Sequence, residues 1–584
     1  MEEAQQSPAE LASEQCLSEV YAAIVEGKNF LVEAGAGAGK TYTLIKALRR
    51  LIELNATAFL QVNKRIACIT YTNVAKDEIR SRTDNHPVIF ADTIHAFGWD
   101  LIKDFQKSLR RYMPSLSEKW TERIAESEGV KDQEIKYNLG YPKITEDEIW
   151  LHHDDVIKLL VLLLEEKKFR NILGSRYPVI LIDEYQDTNK ELVESLVKNF
   201  IVPREGPLFG FFGDHWQRIY GANSVGSIDA PTDKLQRIGK EANFRSDRLI
   251  VEVLNRMRPE LIQHVKDPQS TGEVIVYHTN TWKGERAKGA HWAGDMPPDA
   301  AHDTLQQTIQ KLTDEGWDFA PEKTKILMLT NSILAAEQGY QNLHEAMSAD
   351  DLLKKNDVYI SFLADTVEPG AMAFSEKKYG EMLTAFDVGI PLLKTQADKM
   401  AWSKDVGSLV ELRKTGTIGN VIDLLKNTKK PALPRRIVEK EKKLADLMEV
   451  PDADRSEEDR SFISKLQKIR NAPYVELMKV IEYINDKTLF STKHGVKGAE
   501  FENVLIVLGR GWNLYNWNQF LEWAISGVPA DKKDTFERNR NLFYVACSRP
   551  KKRLALLFTL LISETGMKTL KKWFGSAIEA VDFG

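Results

Sequence analysis

The feature that most constrains this chain is the run Ala34-Gly35-Ala36-Gly37-Ala38-Gly39-Lys40-Thr41. It follows the apolar segment Phe30-Leu31-Val32 and precedes a helical stripe of Leu44, Ile45, Leu48 and Leu51. Strand, glycine-rich turn and helix in that order form a phosphate cradle. Glycines let backbone N–H groups turn inward onto phosphate oxygens, and the helix N-terminus adds a favourable dipole. Ala36, Gly37, Ala38 and Gly39 are therefore expected to wrap a nucleotide. Lys40 is expected to reach its β- and γ-phosphates, and the Thr41 hydroxyl to hold Mg²⁺. Ala34 stands where the pattern usually has its first glycine, so the match departs at one position.

A cradle of this kind needs a parallel sheet behind it, and the chain supplies enough short apolar runs for two. Ile66-Ala67-Cys68-Ile69, Val179-Ile180-Leu181-Ile182 and Phe209-Gly210-Phe211-Phe212 read as buried parallel strands near the cradle. Ile326 to Leu329, Val504 to Val507 and Leu554 to Leu557 form a second, later set. Two α/β cores are the expectation. Two charged, mainly helical stretches interrupt them, at 99–172 and 336–485. The first carries Ile157, Leu160, Val161 and Leu164 on one helical stripe. The second includes a basic run over 426–443 (Lys429, Lys430, Arg435, Arg436, Lys440, Lys442, Lys443), which reads either as a DNA-facing arm or as a solvated helix face.

The Asp183-Glu184 pair closes the strand at 179–182, which is expected to lie beside the cradle strand. A carboxylate at a strand's carboxyl end holds a Mg²⁺ shell, and its neighbour accepts a proton from an attacking water. Asp183 is assigned to the metal and Glu184 to the base.

Composition excludes more than it selects. With 584 residues, 43% of them hydrophobic, the chain suits about four structural units. It has no apolar run of about 18 residues that would cross a membrane. The start Met1-Glu2-Glu3-Ala4 lacks the basic and apolar segments of a signal peptide, so a cytoplasmic location is expected. Cys16, Cys68 and Cys547 are odd in number and far apart, which argues for buried small residues rather than disulfides or zinc. The net charge of −5 neither supports nor excludes nucleic acid, because a motor can hold a strand in a local groove.

Asp183-Glu184-Tyr185-Gln186-Asp187-Thr188 resembles the acidic signature of the UvrD/Rep-type superfamily 1 helicases, and the family's other motifs follow in order. Leu11 to Gln15 resembles the adenine-reading Q motif. Thr70-Tyr71-Thr72-Asn73, with Ala75 and Glu78, resembles motif Ia, and Thr93 to Phe97 resembles motif Ib. Gly213-Asp214 through Gln217 to Tyr220 resembles motif III, and Asn243-Phe244-Arg245-Ser246 motif IV. Thr492 to Phe501, with His494, Lys497, Gly498 and Glu500, resembles motif V. Tyr544 to Arg549, with Arg540 and Glu537 upstream, resembles motif VI.

The resemblance implies two RecA-like cores, 1A and 2A, with helical insertions 1B and 2B. It places 1A at 1–98 plus 173–245, 1B at 99–172, 2A at 246–335 plus 486–584 and 2B at 336–485. Gln15 would read adenine, Phe244 would stack on its ring and Glu500 would meet the ribose side. Gln217 would sense the γ-phosphate, and Arg245 and Arg549 would be arginine fingers. Tyr71, Thr72, Asn73, Thr93, His95, Tyr220 and His494 would hold single-stranded DNA. The implied activity is ATP-driven helicase or translocase movement, 3′-to-5′, on single strands and duplex junctions.

One departure bears on that activity. The family usually has an aromatic residue two positions after the motif III tyrosine, and this chain has Ala222. A missing base-stacking platform suggests weak unwinding or dependence on a partner. A DNA-stimulated ATPase subunit that unwinds little is accordingly the second reading, and an NTP-dependent switch without a strand track the third. The compact layout, and the stretch from Lys325 to Tyr340, are similar to helicases encoded beside OLD-family (TOPRIM) nucleases, as in Gabija-type anti-phage systems.

Overall fold

The computed structural model describes residues 6–127, 129–138, 142–219, 223–289, 293–328, 335, 337–387, 395–485, 488–491, 499–509 and 515–581. Two parallel six-stranded sheets organise it. The first uses β1 (Phe30–Ala34), β2 (Ile66–Thr70), β3 (Ile89–Thr93), β4 (Val179–Asp183), β5 (Leu208–Gly213) and β6 (Gln236–Lys240), in the order β3-β2-β4-β5-β1-β6. Side chains alternate across it. Leu31, Ala67, Ile69, Ile180 and Phe211 enter one core, and Phe30, Val32, Cys68, Leu181 and Phe212 the other. Burial on both faces explains why these strands read as unbroken apolar runs.

The strand order corrects one expectation. β4 does not lie beside the cradle strand, because β5 runs between β4 and β1 and pairs with both. Strand order depends on crossovers through distant helices, which local sequence does not encode.

Helix α1 (Pro8–Glu26) starts at a capping box in which Ser7 and Glu10 bond each other's backbone. Helices α2 (Lys40–Gln61), α3 (Asn73–Arg82) and α4 (Ile94–Ile102) each follow a strand of the sheet. The predicted stripe lies on α5 (His153–Leu164), where Ile157, Leu160 and Leu164 are buried in the core that also holds Ile94, Phe97 and Leu101. The segment before α5 contains a small sheet of strands 134–137, 148–151 and 143–144, of which the helical pattern gave no sign. Strands of two to four residues are too short to show alternation.

The second sheet uses β7 (Glu273–His278), β8 (Thr324–Met328), β9 (Phe490–Ser491), β10 (Phe501–Leu508), β11 (Pro550–Phe558) and β12 (Ile578–Ala580), in the order β9-β8-β10-β11-β7-β12. Helices α6 (Arg248–Met257), α7 (Trp517–Ser526), α8 (Lys533–Cys547) and α9 (Glu564–Phe574) pack on it. Residues within 336–485 build a separate helical core around Leu409, Val421, Ile422 and Leu477. There the basic run is largely spent on local carboxylates: Lys430 pairs with Asp405, Arg435 with Glu439, Lys440 with Asp357 and Lys443 with Asp459. The solvated-face reading fits this segment. All three cysteines are buried and free, and no helix among the described residues is long and apolar enough to cross a membrane.

Candidate nucleotide cleft and strand-facing edge

The motifs that follow strands of the first sheet sit at the carboxyl ends of those strands, where open parallel sheets bind ligands. The cradle follows β1, and Asp183 ends β4, with Glu184 the next residue. Gly37 and Gly39 adopt left-handed φ angles of 73° and 74°. A Cβ on Gly37 would lie 2.8 Å from the Arg245 Cβ and from Asn243 Oδ1, so this turn admits no side chain.

The Lys40 ammonium lies 2.6 Å from Glu184. Burial works against its charge, but the Glu184 and Asp183 carboxylates outweigh that and raise its pKa. Glu184 itself has left-handed backbone angles, φ 49° and ψ 46°, strain of the kind that concentrates at functional sites. Gln186 also donates to it, at 2.5 Å. Thr41 is half-buried at the start of α2, and Asp183 is buried at the end of β4.

The segment 242–246 seals the other side of the cradle. Phe244 N–H donates to Gly37 O (2.9 Å), Asn243 to Ala36 O (3.1 Å) and Gln263 to Ala36 O (3.0 Å). The Phe244 ring edge would lie 3.7 Å from a Cβ on Gly39, and the ring is 37% exposed, free to take a stacking partner. Arg245 donates to Ser548 O (2.9 Å) and pairs with Glu500 at 3.3 Å. Lys551 holds the other oxygen of Glu500 at 2.9 Å. Arg549 is buried and donates to Val545 O (2.9 Å) and Ser548 Oγ (3.0 Å). Burial and the neighbouring Arg245 guanidinium push its pKa well below the arginine range, against the pull of Glu184 and Glu500. A cleft that crowds two guanidiniums together favours an anion between them.

The structure therefore gathers Lys40, Asp183, Glu184, Phe244, Arg245, Glu500 and Arg549 at one cleft between the two sheets. Gln217 is buried at its edge and donates to Asp214 (2.8 Å). Gln15 is exposed on α1, with its amide on Glu19 of the same helix (3.4 Å). Tyr220 and His494, with Ala222 and most of motif V, lie outside the described residues.

Several participants escaped the sequence reading. Arg258, almost fully buried, bonds Asp214 (2.7 Å) and Glu33 (3.0 Å). Glu33 also accepts from Tyr185 (2.7 Å) and meets His215 (2.7 Å). Burial would raise the Glu33 pKa, but His215, Arg258 and Tyr185 bring it down to about 2. Asn541 donates to His215 O (3.0 Å) and Arg218 O (3.2 Å), tying the late helix α8 to the loop that carries Gln217. Lys240, buried at the end of β6, donates to Gly39 O (3.2 Å) and to Thr43 Oγ1 behind the cradle. Glu33 directly precedes the cradle and was the one visible signal. Arg258 and Lys240 had none, because a basic residue in sequence reads as surface.

The strand-facing candidates form a second group. β2 and β3 pair in register through Thr70 and Thr93, so Tyr71–Asn73 and Thr93–His95 emerge side by side. Tyr71 is 45% exposed. Thr72 and Thr93 cap α3 and α4, accepting from Ala75 N (3.2 Å) and Ala96 N (3.4 Å). His95 stacks on His153 with ring centroids 3.3 Å apart. Burial and that second imidazole bring its pKa down to about 4.

Comparison with known proteins places this geometry. An AAA domain model matches residues 18–223, and a UvrD-like helicase C-terminal domain model matches residues 301–560. The Gabija protein GajB of Bacillus cereus (strain HuB5-5) is 26% identical, over 93% of this chain and 94% of its own length. The ATP-dependent DNA helicase Rep of Salmonella typhimurium is 28% identical, over 38% of this chain and 40% of that protein. Rep of Buchnera aphidicola subsp. Schizaphis graminum is 22% identical over 92% of both chains. The first matched model contains the cradle, and over these regions the chain is similar to UvrD-like ATP-dependent DNA helicases.

Proposed function

We propose that the chain is an ATP-driven motor on single-stranded DNA, moving 3′-to-5′ in the cytoplasm, with 1A, 1B, 2A and 2B divided as read from the sequence. The observation that carries this is the cleft itself. Lys40 and Glu184 belong to one sheet, while Arg549 and Glu500 flank strands of the other. A triphosphate that touches both sides draws the lobes together, and its hydrolysis removes the shared contacts.

Glu184 is engaged by Lys40 at 2.6 Å. Phosphate oxygens would take the Lys40 ammonium and free Glu184 to accept a proton from water. Arg245 and Arg549 would then exchange carbonyl partners for phosphate oxygens, placing charge where the transition state spreads it. Thr41 and Asp183 offer a hydroxyl and a carboxylate, a hard oxygen donor set suited to Mg²⁺, which would neutralise phosphate charge there. Gln217, bonded to Asp214 and next to Arg218, lies between cleft and α8 and would couple nucleotide state to strand grip.

A second reading has its own observation. Trp216, nearby in sequence but out of register with Ala222, is buried edge-on against Tyr544 with centroids 5.2 Å apart and offers little exposed ring for a base. The chain would then unwind little alone and serve a Gabija-type defence complex with a TOPRIM nuclease, as the likeness to GajB suggests.

ATPase rate against single-stranded DNA, duplex and RNA tests the motor. Stimulation by single strands, abolished in Arg549→Ala, is expected, and absence of stimulation would leave an NTP switch. Displacement of 3′- and 5′-tailed duplexes, with and without a co-purified nuclease, decides polarity and intrinsic unwinding.

A further inference from the structure

α6, α7, α8 and α9, with Trp216 and Pro259, line an open-mouthed cavity of about 540 Å³ that shares no wall with the cradle. Six aromatic side chains form it: Trp216, Phe520, Phe536, Phe543, Tyr544 and Trp573. Phe520 packs on Phe536 at 5.5 Å and on Trp573 at 5.8 Å, with ring planes tilted by 39° and 40°. Ring faces accept a flat aromatic guest without reading its edges.

The charged side chains that line it are basic, although Arg256 is paired with Glu252 at 3.2 Å. Arg256, Arg540 and Lys572 line the cavity, and no carboxylate does. Arg540 lies over Trp216 at 4.2 Å, and its Nε and Nη2 share one partner, Asn541 Oδ1 (3.1 and 2.9 Å). Among the described residues no carboxylate forms an ion pair with it, although Glu537, Glu260 and Asp214 act on it from further away. Burial lowers its pKa, against the opposing pull of those three carboxylates. Arg256 and Lys572 are exposed at the mouth. An aromatic wall beside guanidinium and ammonium groups is complementary to an aromatic ring that carries its own anion. The volume lies in the range of small-ligand sites.

We propose that this cavity is a second nucleotide site, which binds a free mononucleotide with its base on the aromatic wall and its phosphate on Arg540. Occupancy would bear directly on α8, whose far end carries Ser548 and Arg549 to the cleft. The site would therefore report nucleotide level to the ATPase.

The test uses the full chain with its cleft filled by Mg²⁺ and the non-hydrolysable analogue AMPPNP. AMP is then titrated, by calorimetry and by tryptophan fluorescence from Trp216 and Trp573. One further equivalent of AMP is expected, with a fluorescence change. Phe536→Ala, at a half-buried ring, and Lys572→Glu, at an exposed position, should weaken AMP about tenfold or more, the scale of one lost base stack. AMPPNP affinity should stay unchanged in both. Lack of AMP binding to the filled protein would overturn the proposal, as would AMP binding indifferent to both substitutions. Displacement of AMP by a short oligonucleotide, with no independent AMP effect on ATPase rate, would assign the cavity to the DNA strand and also overturn it. AMPPNP binding, scored separately in Lys40→Ala, keeps failure of this site distinct from failure of the cleft.

Discussion

The two ends of the first sheet's carboxyl edge are built differently. At the β4-β5-β1 end, ionic groups are buried and held by several partners: Lys40 by Glu184, Arg258 by Asp214 and Glu33, Arg245 by Glu500 and Ser548. At the β3-β2 end, Tyr71 to Val74 stand exposed, and the hydroxyls of Thr72 and Thr93 bond only the helix starts they cap. Phosphoryl transfer needs charges placed within fractions of an ångström before reaction. A polynucleotide slides past its site, so its contacts must be accessible and tolerant. Rigidity sits where chemistry is expected, and exposure where movement is.

Substitutions that swap these characters put the comparison at risk. The largest effect is expected at Lys40→Ala, which should abolish ATP turnover, while Glu184→Gln should retain ATP binding and lose hydrolysis. Rapid-quench turnover with parallel nucleotide-binding titration checks both, and normal turnover in Glu184→Gln would remove it as the base. Next is Arg258→Met. It leaves Asp214 and Glu33 buried without their cation and should cost about 3–5 kcal/mol of stability. Denaturant unfolding measures this, and a loss no larger than that of a surface arginine would show the network to be incidental.

At the other end, Tyr71→Ala should leave basal ATPase intact. It should weaken single-stranded DNA by about 1–3 kcal/mol, one base stack, read by fluorescence anisotropy. Equal loss of basal turnover would mean that the two ends are not separable. The smallest effect concerns His95. Its folded pKa of about 4 lies below the ordinary histidine value, so the unfolded chain takes up the proton first as pH falls. Stability from the neutral imidazole is complete above about pH 6.5 and is lost as pH drops toward 4. Melting curves over that window should flatten in His95→Asn.

Legibility followed the range of the forces involved. The cradle and the buried strands depend on neighbours in sequence, and each appeared from local pattern. The short strands at 134–151 were silent because too few residues alternate. Arg258 and Lys240 were silent because nothing local marks a cation for burial.

The sequence by itself determined that a nucleotide cradle, an acidic strand end and two parallel cores exist, since glycine conformations and apolar periodicity act over a few residues. Only the tertiary structure decided that β5 lies between β4 and β1, and that Arg549 sits within electrostatic reach of Glu184. Those relations join residues hundreds of positions apart. They arise from how crossover helices stack and where buried charge finds its counterpart, which no local pattern records.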